Sequence, residues 1–560
     1  MFPKEFTKYV LNPYIKDNKG TVSLFIISTF IVFIIIAIII PLTYTIFSVN
    51  IRSLQIHNSS FFKFNSINTY LFTLVFFFIL YIIFEKIRSN TNSQINVDFV
   101  NHFRKRLIHN LVIRYKHNFE EPNIGELIPR ILSLSQDSMR YVDYMINIHQ
   151  NLFALILING TTFFFSRTIG CIFLVYVILY ILLTYFRFYS SLKYSVNLNK
   201  SLLKTSEYLT DSCSNLLNVY INNQEEKLIE DNFNKFNLHE NKLKKTDYIQ
   251  RNRLSITFIL QILFVIIFFG VLYLFLSKNS ISRLNASILV ILLITSFTVS
   301  SNIYEKFFLF IIQGGSIYES RSFLEDFFNL KDNKHDSQKI KITGDIIFRN
   351  IYFKYPKSDS YILNNLSFKI SSGQRLGILG RSGSGKTTIM KLLIKLYSVD
   401  SGTILIDGRN IESFNIDYLR KSINYVNQKT TLYNDTILYN IQYGNNQSRE
   451  KIEKIIEKYQ ITVFDSLNGG IDTNVGLLGA NISLGMQKMI ILLRGILREG
   501  NIIIFDEPLT SLDPDTRRRV LKMIKEECSQ KTVIVITHDM EIVPYMDKII
   551  NITEINNQFS

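Results

Sequence analysis

Gly380-Arg-Ser-Gly-Ser-Gly385-Lys386-Thr387 decides how the carboxy-terminal third of this 560-residue chain is read. The stretch fits the pattern GxxxxGK[ST], and its surroundings are those such a loop needs. Before it, the apolar run Arg375-Leu-Gly-Ile-Leu379 reads as a buried strand. After it, Thr388-Ile-Met-Lys-Leu-Leu-Ile-Lys-Leu396 reads as a helix. Glycines let successive backbone N–H groups turn toward phosphate oxygens, the helix presents its positive N-terminal end, and Lys386 adds a full charge. This third is therefore expected to bind a nucleotide through Gly380, Arg381, Ser382, Gly383, Ser384, Gly385, Lys386, Thr387 and Thr388. The loop alone does not say what the nucleotide's energy drives.

Working outward, the composition divides the chain. Its 47% hydrophobic content and mean hydropathy of +0.15 point to a membrane protein of more than one domain rather than a large soluble enzyme. The long apolar runs lie before about residue 325; the remainder alternates short apolar strands with polar helices, as an α/β domain does. The formal charge of +16 could suggest nucleic acid, but no basic and aromatic cluster of the kind used for single strands is present. Much of the charge flanks apolar runs, which fits an anionic membrane surface, and no nucleic-acid partner is expected. Cys171, Cys213 and Cys528 are too few and too scattered for a disulfide framework or a metal site.

Six apolar segments approach or exceed the roughly 20 residues that a helix needs to cross a bilayer. They lie near 22–47, 67–84, 146–165, 168–188, 254–277 and 287–310, with only Ser166 and Arg167 between the third and fourth. The expected organisation is a cytoplasmic tail over 1–20, a membrane domain over 21–325, a linker over 326–341 and a nucleotide domain over 342–560. Lys86, Arg88, Arg104, Lys105 and Arg106 follow the second span, and Lys193, Lys200, Lys244, Lys245, Arg251 and Arg253 flank the fourth and fifth. The connections 48–66, 166–167 and 278–286 hold few charges, so both termini are expected on the cytoplasmic side of a multi-pass protein. The long stretches 85–145 and 189–253 contain apolar residues at helical spacing, as in Phe99–Ile108 and Leu228–Phe236, and should extend the spans beyond the membrane. Glu305 and Lys306 stand near the inner end of the sixth span.

Six spans followed by this phosphate loop resemble a half-transporter of the ATP-binding-cassette (ABC) family, exporter type, and the resemblance covers nearly the whole chain. Ile124-Gly-Glu-Leu-Ile-Pro-Arg130 is similar to the G-E-L-x-x-R segment after the second span of such exporters. In the nucleotide domain, Ile351-Tyr-Phe-Lys-Tyr-Pro356 resembles the aromatic loop, with Tyr355 stacking on adenine. Ile423-Asn-Tyr-Val-Asn-Gln428 resembles the segment whose glutamine touches magnesium and the attacking water. Ile502-Ile-Ile-Phe505 ends in Asp506-Glu507, which implies Asp506 on Mg2+ through water beside the Thr387 hydroxyl, and Glu507 as general base. Ser511-Leu-Asp513 resembles the loop that crosses to a partner domain, and Val533-Ile-Val-Ile-Thr-His538-Asp539 carries the histidine of the γ-phosphate.

One segment departs from the family. Where its signature reads Leu-Ser-Gly-Gly-Gln, this chain has Ile482-Ser-Leu-Gly-Met486. Ser483 and Gly485 keep a hydroxyl and a close backbone approach for ATP held by the opposite subunit, whereas Leu484 adds bulk and Met486 replaces the glutamine. Thr473-Asn-Val-Gly-Leu-Leu-Gly479 also lacks the acidic residues usual before the signature. An intact Lys, Asp, Glu and His set with an altered signature resembles one chain of a heterodimeric half-exporter, and a homodimer tolerating the change is the equal alternative. The resemblance thus implies a fold of six membrane helices followed by an α/β P-loop domain. It implies ATP and Mg2+ as cofactors, a second half-transporter chain and the lipid bilayer as partners, and ATP-driven export of a substrate the sequence does not identify. Helices near 113–124 and 213–224 would transmit the motion. The alternative is a membrane-anchored ATP-binding regulatory or structural subunit with impaired hydrolysis.

Overall fold

The computed structural model describes residues 3–51, 67–116, 124–329, 341–356, 358–381, 383–428 and 430–552. Its contacts separate two compact units, one of residues 1–114 and 121–330, the other of 115–120 and 331–560.

The first unit is helical. Its long elements are α1 (Lys19–Ile51), α2 (Ile67–Arg114), α3 (Ile124–Phe165), α4 (Arg167–Ser214), α5 (Glu225–Ser277) and α6 (Arg283–Glu319), followed by the short α7 (Arg321–Phe328). Among the described residues five stretches are long and apolar enough to cross a bilayer: Lys19–Ile36, Gly125–Phe165, Arg167–Ser214, Ile256–Ser277 and Asn285–Glu319. The remaining predicted span, 67–84, forms the start of α2. Helices of this length need no break where apolar sequence gives way to amphipathic sequence, because every backbone group stays paired within the helix. The hairpin between α3 and α4 is as tight as predicted. Ser166 caps α4 by accepting from the Ile169 N–H at 3.5 Å, and Gly170 lets the helices meet, since a Cβ there would lie 2.6 Å from Phe163 Cγ. Gly315 of α6 similarly approaches the Ser195 backbone of α4, where a Cβ would stand 2.5 Å from its carbonyl carbon.

Apolar residues such as Ile262, Ile266 and Tyr273 on α5 are exposed, as suits a surface facing lipid. The interior is aromatic: Tyr141 of α3 stacks on Phe310 of α6 at 4.2 Å, and Tyr176 of α4 on Phe264 of α5 at 4.4 Å. Tyr180 of α4 donates to the Ser300 carbonyl of α6 at 2.7 Å. The segment read as a tail is not loose: short helical turns between Lys4 and Asp17 bury Phe6 and Tyr14, and Tyr14 donates to the Ile95 carbonyl at 3.3 Å. Arg130 bridges Glu126 at 3.2 Å and Glu319 at 2.8 Å, tying α3 to α6. Glu305 and Lys306 sit 3.4 Å apart and pair with each other. Of the two predicted transmission helices, the later is a short helix, Leu216–Ile221; most of the earlier, 117–123, and most of the linker, 330–340, lie outside the described residues.

The second unit holds two sheets. Strands β1 (Ile346–Phe353), β2 (Leu363–Ile370), β4 (Ser401–Ile406) and β5 (Arg409–Asn410) form an antiparallel sheet in the order β2-β1-β4-β5. Strands β3 (Arg375–Leu379), β6 (Ile423–Val426), β7 (Ile502–Asp506), β8 (Thr532–Ile536) and β9 (Lys548–Asn551) form a parallel sheet, β6-β7-β8-β3-β9. Every residue of β7 and β8 is buried, which explains why both read as unbroken apolar runs rather than alternating ones. Register pairs Asp506 with Ile536 and Gly377 with Val535. The C-terminal ends of β3, β6, β7 and β8 therefore share one edge, where an open parallel sheet gathers its functional loops. Helices α8 (Lys386–Leu393), α9 (Leu484–Leu497) and α10 (Pro514–Glu527) cover this sheet.

Candidate active site

The phosphate loop leaves β3 at Leu379 and enters α8 at Lys386. Gly383 and Gly385 have φ of 82° and 91°, left-handed values that side chains with a Cβ adopt only under strain. At Gly385 a Cβ would also stand 2.7 Å from Leu363 Cδ2, so a side chain there would have to displace Leu363 as well. Lys386 folds its ammonium back onto the loop, donating to the carbonyls of Gly380 at 2.6 Å and Arg381 at 2.8 Å. The loop thus holds its own cation at the mouth of an anion site. Gly380, Arg381, Gly383 and Ser384 belong to this loop and Thr388 to the first turn of α8; Ser382 lies outside the described residues. Tyr355, just past β1, shares a hydrogen bond with Thr388 at 3.1 Å and packs edge-on against Tyr397 at 5.3 Å. It lines a cavity of about 680 Å3 with Lys354, Tyr397 and Asp400, room for a planar ring system beside an aromatic wall.

At the end of β7, Asp506 is 3% exposed. Its Oδ2 accepts from the Thr387 hydroxyl at 3.4 Å and the Tyr425 hydroxyl at 3.0 Å. Burial lifts the Asp506 carboxyl above its ordinary range, and those two donors pull it back. Glu507, the next residue, has φ of 51°, and its N–H donates to the Ile536 carbonyl at 2.9 Å. Its Oε2 accepts from the buried Thr537 hydroxyl at 3.1 Å, and its Oε1 shares a hydrogen bond of 2.7 Å with His538 Nδ1. The left-handed backbone at a non-glycine residue costs about 1–3 kcal/mol and persists only where the surroundings enforce it. Here it turns the carboxylate out of the strand line toward the sheet edge that carries the loop. His538 is exposed beyond that bond, and among the described residues its other ring nitrogen has no partner.

Two hydrogen-bonded pairs, Thr387 with Asp506 and His538 with Glu507, thus meet at adjacent residues of the chain. The Thr387 hydroxyl and the Asp506 carboxylate are hard oxygen donors side by side, a pair that suits magnesium. Among the described residues no group of three or more His, Cys, Asp and Glu side chains could hold a metal unaided, so an ion here needs oxygens from a bound phosphate as well.

Other predicted residues stand apart. Gln428 is exposed, two residues beyond β6, and Tyr425, not Gln428, reaches Asp506. Asp513 caps α10, accepting from the N–H groups of Asp515 at 3.1 Å and Thr516 at 3.0 Å. Ser483 caps α9 by accepting from the Met486 N–H at 3.3 Å. A Cβ on Gly485 would lie 3.4 Å from the Ser511 carbonyl, which sets the start of α9 against the turn after Glu507. Leu484 is 69% exposed, while Met486 packs against the core, so the two signature changes point in opposite directions: one outward, one into the fold.

Three residues of this site escape the sequence reading. Tyr425 sits in β6 and Thr537 just past β8, each a hydroxyl beside an apolar run. The third is Lys488, the one charge between Ser483 and Leu493. It is 5% exposed, and its Nζ has no hydrogen-bond partner among the described residues. Burial drives its ammonium downward from the ordinary lysine range, and attraction by Asp506 and Glu507 opposes that. A lone lysine amid Met489-Ile-Ile-Leu-Leu493 was the available signal.

Residues 363–510 match the family model described as ABC transporter. Over 213 residues the chain is 38% identical to an ATP-dependent lipid A-core flippase of Idiomarina loihiensis, covering 38% of this chain and 37% of that protein. Over 256 residues it is 38% identical to the mitochondrial iron-sulfur clusters transporter ATM1 of Debaryomyces hansenii, covering 42% of this chain and 36% of the relative. The matched segment spans little more than a third of each curated relative. In fold the likeness is wider: the solved structure of a bacterial Atm1-family ABC exporter with ATP bound superposes with a TM-score of 0.77 at 21% identity, covering 96% of this chain and 94% of that one.

Proposed function

We propose that this chain, a helical unit and an ABC-transporter nucleotide domain on the ABC-exporter fold, is one half of a dimeric exporter that hydrolyses ATP to move a substrate across a membrane. The observation that carries this reading is the pair of adjacent carboxylates at the end of β7 beside the phosphate loop, Asp506 bonded to the loop's Thr387 and Glu507 to Thr537 and His538. A subunit that merely bound nucleotide would not need a carboxylate strained into a left-handed backbone and held by two donors.

In this reading the loop N–H groups and Lys386 hold the ATP phosphates, and Tyr355 meets the adenine. Thr387 and Asp506 hold Mg2+, which when bound neutralises phosphate charge. Glu507 accepts a proton as water attacks the γ-phosphorus; the bond from that phosphorus to the β,γ-bridging oxygen breaks, and ADP leaves with that oxygen. Thr537 and His538 fix the two carboxylate oxygens of Glu507, so it meets the water in one orientation. Gln428, exposed two residues beyond β6, is assigned the γ-phosphate and the attacking water by resemblance to the family. ATP binding favours a closed pair of nucleotide domains and hydrolysis releases it, which alternates the access of the membrane helices.

The second half of each site comes from a second chain through Ser483 and Gly485, with Asp513 nearby. The exposed Leu484 stands where backbone must approach a phosphate, so in a heterodimer the site this chain completes for its partner turns over more slowly than the site it holds itself, and in a homodimer both sites carry the alteration. Both termini lie on the cytoplasmic side. The test is reconstitution of the purified assembly in vesicles: hydrolysis-dependent flux that disappears with Glu507→Gln supports export, and nucleotide binding without hydrolysis or flux refutes it.

A further inference from the structure

We propose that Lys488 is a positioning residue: its buried ammonium is a resident counter-charge to the Asp506–Glu507 pair, and a divalent cation entering the site must work against it. The inference rests on the reading of Asp506 as the cation's carboxylate.

Lys488 lies five residues after Ser483, in the second turn of α9. Its neighbours Met489 and Ile490 belong to the same apolar core as Phe505 of β7 and Leu509, the residues that flank the two carboxylates in the chain. The start of the same helix meets the turn after Glu507 at Ser511. A lysine placed there cannot reach water: it is 5% exposed, and its Nζ finds no hydrogen-bond acceptor among the described residues.

A buried ammonium without an acceptor is tolerated only where neighbouring charge offsets its lost hydration. The charges that act on it are those of Asp506 and Glu507, and Asp506 feels it in return. Asp506 is otherwise satisfied by two hydroxyls, Thr387 and Tyr425. Glu507 is satisfied by Thr537 and His538. Lys488 is therefore not a hydrogen-bonding partner of either. It acts through its charge, balancing two adjacent carboxylates before a cation arrives and repelling the cation afterwards.

The consequence separates this role from simple packing: removing the charge should tighten cation binding rather than weaken it. The experiment is Mn2+ binding to the purified full-length chain with a non-hydrolysable ATP analogue, read from the electron paramagnetic resonance of free Mn2+. Lys488→Met and Lys488→Gln, each with folding checked, are both expected to bind Mn2+ roughly three- to tenfold more tightly than the unaltered chain, the size of a like-charge repulsion at several ångströms in a partly buried site. Unchanged or weaker Mn2+ binding by the folded variants overturns the role assigned to Lys488 and leaves the hydrolytic reading intact. Absence of nucleotide-dependent Mn2+ binding in the unaltered chain overturns both.

Discussion

Gly385→Ala and Gly383→Ala form a pair that tests whether the phosphate loop is held by backbone geometry alone or by packing as well. Both glycines have left-handed φ, 91° and 82°, so alanine at either costs about 1–2 kcal/mol in backbone strain. They differ in surroundings. A Cβ at Gly383 meets nothing within 4 Å, whereas at Gly385 it lies 2.7 Å from Leu363 Cδ2 and 3.0 Å from Ile362 Cγ2. Forcing β2 to yield adds about 1–3 kcal/mol, as overpacking does elsewhere. The Gly385 variant should therefore lose about 2–5 kcal/mol, against about 1–2 kcal/mol for Gly383. In a domain of this size each kcal/mol lowers the melting temperature by about 2–4 °C. The chain lacks tryptophan, but Cys528, 1% exposed in the nucleotide unit, is a built-in reporter. With the exposed Cys171 and Cys213 changed to serine, maleimide labelling on heating reads the unmasking of Cys528. Gly385→Ala should expose it at the lower temperature of the two variants and also weaken nucleotide binding. Equal melting of the two variants, or greater loss at Gly383, would refute the packing argument.

Other expectations concern the carboxylates and the signature. Tyr425→Phe removes a donor from Asp506, at about 1.5–3 kcal/mol for a hydrogen bond to a charged group. Since burial already raises Asp506, its contribution to stability is present below its unfolded value near pH 4 and is lost as pH rises through the folded value. The variant raises that value further, so its deficit in Cys528 unmasking should be full at pH 8 and shrink toward pH 5. Thr537→Val deletes the donor to Glu507 Oε2 and should lower kcat roughly 10- to 100-fold with little change in KM; equal changes in both constants would assign Thr537 to binding instead. Leu484→Gly should raise ATP turnover of the assembled dimer severalfold despite costing up to about 1 kcal/mol in helix propensity, as measured by phosphate release. A fall in turnover would show that the leucine belongs to the working site.

The fold was legible because its strongest signals are local. An unbroken apolar run of helical length, and short buried strands leading to Gly380, Asp506 and His538, need no knowledge of distant partners. The amphipathic runs Phe99–Ile108 and Leu228–Phe236 likewise showed that helices outlast the apolar stretches, as α2 and α5 do. What stayed hidden depends on which elements meet. The burial of Phe6 and Tyr14 was not visible, because a lysine-dotted tail reads as solvated until Ile95 and Tyr141 are seen beside it. At the site, positions after the strands could be ranked by order along the chain, but Tyr425, Thr537 and Lys488 become partners of the carboxylates only when β6, β8 and α9 are packed around β7. Asp513 and Ser483 show the converse: a residue picked for a ligand also has a local task, capping a helix, that spacing alone does not separate from binding.

The most direct measurement is ATP hydrolysis by the reconstituted assembly, comparing the unaltered chain with Glu507→Gln. The amide keeps an oxygen for Thr537 and nearly the same shape, so folding and nucleotide binding should persist. Loss of the general base should lower turnover by about two to four orders of magnitude. Turnover at the unaltered rate, with nucleotide still bound in the loop from Gly380 to Thr388, would contradict the assignment of this site to hydrolysis and with it the reading of the chain as a pump.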